Sequence, residues 1–136
     1  MECYTFSEAT KISIVDDDES MREAIKMLIG SLGMEVEEFS SAEAFLDSES
    51  GQSSDCLILD VRMPDLSGPE LQRRLLTQKR RIPIIFVTAH YTEEERGKAM
   101  AAGAVAFLTK PFSEDELLNA LAQSQLRLTG NDVAEI

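Results

Sequence analysis

Histidine and cysteine are nearly absent from these 136 residues: His90, Cys3 and Cys56 are the whole supply. A single imidazole without a paired nucleophile supports neither a catalytic triad nor zinc ligation. One cysteine lies near the N-terminus and the other inside an apolar run, which argues against a disulfide and for a reducing compartment; Cys56 reads as a small core residue. Long hydrophobic runs are also missing. No stretch approaches the roughly 20 apolar residues of a membrane span, and residues 1–10 have neither a positive start nor an apolar stretch, so the expected setting is soluble and cytoplasmic, with no membrane partner. Gly-rich phosphate loops are lacking too: nothing matches a dinucleotide or P-loop fingerprint.

Basic side chains are scarce where acidic ones are dense. The net charge is -12, and it is uneven: residues 1–60 carry 15 acidic against 3 basic side chains, residues 61–136 carry 10 of each. A field of that sign repels duplexes and anionic membranes, so no direct nucleic-acid binding by this segment is expected, and a cation is its natural counterpart. The length fits one domain able to bury a sheet-and-helix core without disulfides or structural metal.

What the chain does contain is a set of short apolar runs that stop on polar residues. Ile12, Ile14 and Val15 run into Asp16, Asp17 and Asp18; Cys56–Leu59 stops at Asp60; Ile84–Val87 stops at Thr88; Ala104–Leu108 stops at Thr109 and Lys110. Between them lie helical signals. Met21, Ala24, Ile25, Leu28, Ile29 and Leu32 recur on one helical face, closed by Gly33, and Met34–Phe39 alternates weakly as a peripheral strand would. Ser40 with Glu43, Thr92 with Glu95, and Ser113 with Glu116 have capping-box spacing, and Pro69 suits the first position of a helix reaching about Gln78. The basic run Lys79–Arg81 reads as charge favoured at that helix's C-terminal end.

Five alternations of strand and helix with short joints predict a doubly wound, five-stranded parallel sheet in the flavodoxin-like order 2-1-3-4-5, helices on both faces. Ligands of such sheets bind outside the carboxyl ends of the strands, so Asp16, Asp17, Asp60 and Thr88 should surround one pocket with Lys110 at its rim. Clustered carboxylates need a neutralising cation, and hard oxygen donors at an open site suit Mg²⁺. One carboxylate can then act as nucleophile toward phosphorus, while an ammonium and a hydroxyl hold the phosphoryl oxygens. Asp60, Lys110 and Thr88 have the right chemistry for those three tasks. Asp18 reads as a residue that opens the following helix, or as an outer charge.

The motifs IVDDDES (14–20), LILDVRMPDLSG (57–68), VTAH (87–90) and FLTKPF (107–112) resemble the receiver domain of bacterial two-component response regulators, the CheY-like family, and most of all its FixJ-type members. The resemblance covers about residues 11–126, leaving 1–10 as an N-terminal extension and 127–136 as a C-terminal tail or the start of a linker. It implies that Asp60 accepts a phosphoryl group from a sensor histidine kinase, with Mg²⁺ held by Asp16, Asp17, Asp60 and the backbone carbonyl of Arg62. It further implies that Lys110 pairs with the phosphate, that Thr88 hydrogen-bonds it, that Phe107 occupies an aromatic switch position, and that Arg62 and His90 tune dephosphorylation. Lys110-Pro111 would be a cis peptide.

The helix after Thr88 opens with Glu93, Glu94 and Glu95, contains Gly97 and offers mostly small alanines to the core, so it is cheap to displace. The expectation is that phosphorylation shifts this fourth helix and the fifth strand, promotes homodimerisation through that face, and controls transcription through a DNA-binding domain outside this chain. A stand-alone receiver acting by protein contact is the alternative. A small Mg²⁺-dependent phosphatase is disfavoured because no insertion is long enough for a substrate cap. A flavin-binding protein is disfavoured because three carboxylates after the first strand would repel a cofactor phosphate.

Overall fold

The computed structural model describes residues 10–134, the side chains of residues 52 and 126–134 excepted; Cys3 and nearly all of the expected N-terminal extension lie outside the described residues. Five strands, β1 (Lys11–Val15), β2 (Glu35–Phe39), β3 (Cys56–Asp60), β4 (Ile84–Thr88) and β5 (Ala106–Thr109), form one sheet in the order β2-β1-β3-β4-β5. Every pairing is parallel. This is the architecture expected from the alternating pattern. The helices are α1 (Glu19–Ser31), α2 (Ala42–Asp47), α3 (Gly68–Thr77), α4 (Glu93–Ala101) and α5 (Glu114–Ala134), with a short 3₁₀ turn at Gly51–Ser53.

β1, β3 and β4 are buried on both faces, which is why they read as continuous apolar runs. Side chains that alternate along them feed two cores. Ile12, Ile14, Ile58, Ile85 and Val87 pack with Ile25 and Ile29 of α1 and Leu117 and Leu121 of α5. Val15, Leu57, Leu59 and Phe86 pack with Phe45 of α2, Leu71 and Leu75 of α3, and Ala99 of α4. Cys56 is buried in the first core, and burial pushes its thiol up to about 12, as befits an inert core residue.

The helix starts follow local chemistry, with one shift. The Asp18 carboxylate accepts from the amides of Ser20 and Met21, making it the N-cap of α1. Ser113 and Glu116 exchange reciprocal bonds at the start of α5 (2.9 and 3.0 Å), and the Thr92 hydroxyl accepts from the Glu95 amide at α4. The cap of α2 is Ser41, accepting from Ala44, and not Ser40: β2 continues through the buried Phe39, so Ser40 is needed for the turn. A capping box at Ser67 and Glu70 opens α3, with Pro69 second in the helix rather than first. After α1, Gly33 adopts φ 89°, the left-handed conformation that closes a helix. Where the sequence suggested a tail from residue 127, the helical backbone continues to Ala134.

Candidate functional site

Parallel register aligns the carboxyl ends of the strands. Val15 pairs with Leu59 and Asp60 with Val87, so the residues that follow β1 and those that end β3 and β4 emerge side by side above the sheet. Asp16, fully buried, is fixed by its surroundings: its amide donates to the Phe39 carbonyl (3.1 Å), its Oδ1 accepts from the Asp18 amide (2.9 Å) and its carbonyl accepts from Arg22 Nη1 (2.8 Å). Asp17 is exposed beside it. One carboxylate oxygen from each of Asp16, Asp17 and Asp60 lies within 4.8 Å of the others.

Lys110 follows Thr109, the last residue of β5, its bond to Pro111 is cis, and its side chain reaches further in than a rim position. Its Nζ donates to Asp16 Oδ2 at 2.8 Å and stands 3.9 Å from Asp60 Oδ1. One ammonium among three carboxylates leaves the cluster net negative, and Asp60 shows the consequence. Burial and the neighbouring Asp16 charge push its carboxyl up to about 7, against the opposing pull of Lys110 and the Arg62 amide. A cluster of hard oxygens that its own lysine does not neutralise is a donor set suited to a divalent cation such as Mg²⁺. The turn after Asp60 is tightly folded over it: a Cβ on Gly68 would stand 2.3 Å from the Asp60 carbonyl oxygen, so glycine is required there.

The side chains of Thr88, Arg62 and Phe107 engage partners outside the cluster. Thr88 is fully buried at the end of β4, and its hydroxyl is engaged in the following loop, donating to the His90 carbonyl (3.2 Å) and accepting from the His90 amide (3.0 Å). His90 itself is exposed. The Arg62 side chain turns away to α4, where Nη2 meets Glu95 Oε1 at 3.1 Å. Phe107, half-buried on β5, lies between Phe86 (ring centroids 6.0 Å apart) and Tyr91 (5.8 Å). Arg22, Gly68 and Glu95 were not singled out for the site by sequence. Arg22 lies on a helix legible only by its apolar face, and the RMPDLSG turn was the one available signal for Gly68.

The family description of the response regulator receiver domain matches residues 12–122. Response regulator protein TodT of Pseudomonas putida is 49% identical over 113 residues, 83% of this chain and 50% of that protein. Transcriptional regulatory protein FixJ of Bradyrhizobium diazoefficiens is 43% identical over 116 residues, 85% of this chain and 56% of that protein. The solved structure of response regulator StyR superposes with a TM-score of 0.82 at 43% identity, covering 93% of this chain and 65% of that one. FixJ-N gives 0.77 at 37% identity, covering 85% and 92%. The chain spans about half the length of the curated relatives it matches.

Proposed function

Because this chain belongs to the response regulator receiver domain family, whose members are phosphorylation-dependent signalling domains that work with sensor histidine kinases, we propose that Asp60 is its phosphoacceptor. A carboxylate oxygen of Asp60 attacks the phosphorus of a phosphohistidine; the O–P bond forms as the N–P bond breaks, and the electron pair leaves with the imidazole. Lys110, already 3.9 Å from Asp60, offers its ammonium to the phosphoryl oxygens as their charge develops. Mg²⁺ bound by Asp16, Asp17, Asp60 and the Arg62 carbonyl would supply further neutralisation of those oxygens and hold Asp60 in its ionised form. Thr88 completes the set by exchanging its bond to the His90 carbonyl for one to the phosphoryl group.

The observation that carries this reading is the approach of one ammonium to two buried carboxylates from separate strands, with a third carboxylate beside them. Incubation with acetyl phosphate and Mg²⁺ followed by intact-mass measurement tests it. One phosphoryl adduct is expected in the wild type and none in Asp60→Asn; an adduct retained by that variant sinks the assignment.

The readout we propose is a shift of α4 and β5, with Phe107 following Thr88 and with homodimerisation through that face. Its support is the thin anchorage of α4, whose sole buried residue is Ala99. Sedimentation with and without a beryllofluoride phosphate mimic would show a mass increase on activation. Arg62 and His90 tune the lifetime of the adduct. The receiver unit is residues 11–126, with 1–10 as an extension and 127–136 as a C-terminal tail or the start of a linker. It works in the cytoplasm, and its output is transcriptional, exerted through a DNA-binding domain outside this chain; the support is that FixJ is named a transcriptional regulatory protein. Among the described residues, no helix is long and apolar enough to cross a membrane.

A further inference from the structure

Arg22 makes no contact with the three carboxylates, yet it holds the backbone that carries two of them. Its side chain is 14% exposed. Nη1 donates to the Asp16 carbonyl at 2.8 Å, and Nε donates to Glu38 Oε1 at 3.0 Å; Glu38 in turn accepts from Lys26 at 3.1 Å. The guanidinium plane fixes the relative positions of these two acceptors, which a flexible ammonium does not. One acceptor is on β2, paired to β1 along its length, so Arg22 is anchored to the sheet and not only to its own helix. The other is the carbonyl of the peptide joining Asp16 to Asp17. Rotation of that peptide would swing the exposed Asp17 carboxylate away from Asp16 and Asp60. The Asp16 side chain has its own restraints, from the Asp18 amide and Lys110, whereas among the described residues no hydrogen bond or ion pair ties down the Asp17 carboxylate. The charge of Arg22 is offset locally, since Lys26 and Arg22 hold the Glu38 carboxyl below the usual range, in its ionised form.

We infer that Arg22 is a positioning residue for the divalent-cation site, orienting the Asp16–Asp17 peptide so that both carboxylates face Asp60 before the cation arrives. The inference rests on the proposed Mg²⁺ site. Partners that orient metal ligands typically change affinity by about 10- to 100-fold when removed. If Arg22 acted only through its charge, removing it would tighten cation binding. If it served only to fasten α1 to β2, losing the Glu38 bond would matter as much as losing the Asp16 bond.

Calorimetric Mg²⁺ titration of the whole chain separates these cases, using the wild type, Arg22→Met, Arg22→Lys and Glu38→Ala, which removes the acceptor of the Nε bond, at fixed ionic strength. The expected result is a dissociation constant raised about 10-fold or more in Arg22→Met, raised less in Arg22→Lys, and within about twofold of wild type in Glu38→Ala. Should Arg22→Met fail to fold, a weakening of about threefold in Arg22→Lys, with Glu38→Ala within about twofold, supports the role. Unchanged or tighter binding in the folded Arg22 variants, or equal weakening in Glu38→Ala, overturns the role of Arg22 and leaves the metal site standing. No saturable binding by the wild type overturns both.

Discussion

Helix α1 follows β1 into the site and α4 follows β4, but they are held in place by different forces. α1 runs for 13 residues, buries Ile25 and Ile29, and packs Met21 and Leu28, with Leu32 at its C-cap, against the same core. α4 runs for 9 residues, buries only Ala99 and packs only the partly buried Met100 beside it against the second core. Polar ties do much of the remaining work at α4: Arg62 reaches Glu95 in its first turn (3.1 Å), and the buried Gln72 amide donates to the Ala99 carbonyl near its end (3.2 Å). Apolar burial of α1 is hard to undo, whereas a half-exposed ion pair and one amide bond are cheap to exchange. The turn that carries Asp16 and Asp17 is therefore built on the anchored side of the sheet. The element that would report phosphorylation is on the weakly held side, adjoining the loop that engages Thr88.

The largest effect that distinguishes the two helices is expected in their cores. Ile29→Ala removes a fully buried side chain and should cost about 3 to 4 kcal/mol in urea unfolding, while Ala99→Gly in α4 should cost about 1 kcal/mol. Comparable losses at both sites would mean that α4 is anchored as firmly as α1, and the contrast would fail.

The next effect lies between the helices, at Asp60. Its folded carboxyl is pushed up to about 7, against an ordinary 3.8, mainly by burial and then by the Asp16 charge. A raised pKa means that the folded state binds the proton more tightly than the unfolded one. The stabilisation from that proton is fully present below about pH 4 and is lost as pH rises through about 7. In chelator, Asp60→Asn should therefore be more stable than wild type at pH 8, by about 1 to 3 kcal/mol, with the gap closing toward pH 4. A gap that widened on acidification would contradict the environment assigned to Asp60.

Which of these features the sequence displays depends on how local their cause is. Strands buried on both faces appear as plain apolar runs, and the residue that ends each run is where a parallel sheet exposes its chemistry; the acidic cluster and Lys110 are visible for that reason. Asp18 as a cap is legible because its partners, the amides of Ser20 and Met21, are two and three residues away. Ser40 and Ser41 both have the chemistry to cap α2, and what decides between them is how far β2 must run to bury Phe39, a tertiary fact. Arg22 with Asp16, Arg62 with Glu95 and Gln72 with Ala99 are set by how helices pack across the sheet. Arginine and glutamine on helices whose apolar stripes dominate the pattern give no sign of which carbonyl or carboxylate they will meet.

The smallest expected effect probes α4 alone. Gly97 lies inside the helix, and nothing stands within 4 Å of where its Cβ would be, so alanine fits without a clash. Gly97→Ala should stabilise the helix by about 0.5 to 1 kcal/mol, chiefly by narrowing the unfolded ensemble. If α4 opens separately from the rest of the domain, native-state hydrogen exchange of its amides slows by roughly two- to fivefold in this variant, while that of α1 amides reporting on α1's own local opening stays unchanged. Equal slowing of those amides in both helices would mean that they open as one cooperative unit. In that case a weakly held α4 could not move by itself, and the proposed readout would have to carry α1, and the Arg22 tie to the Asp16 carbonyl, along with it.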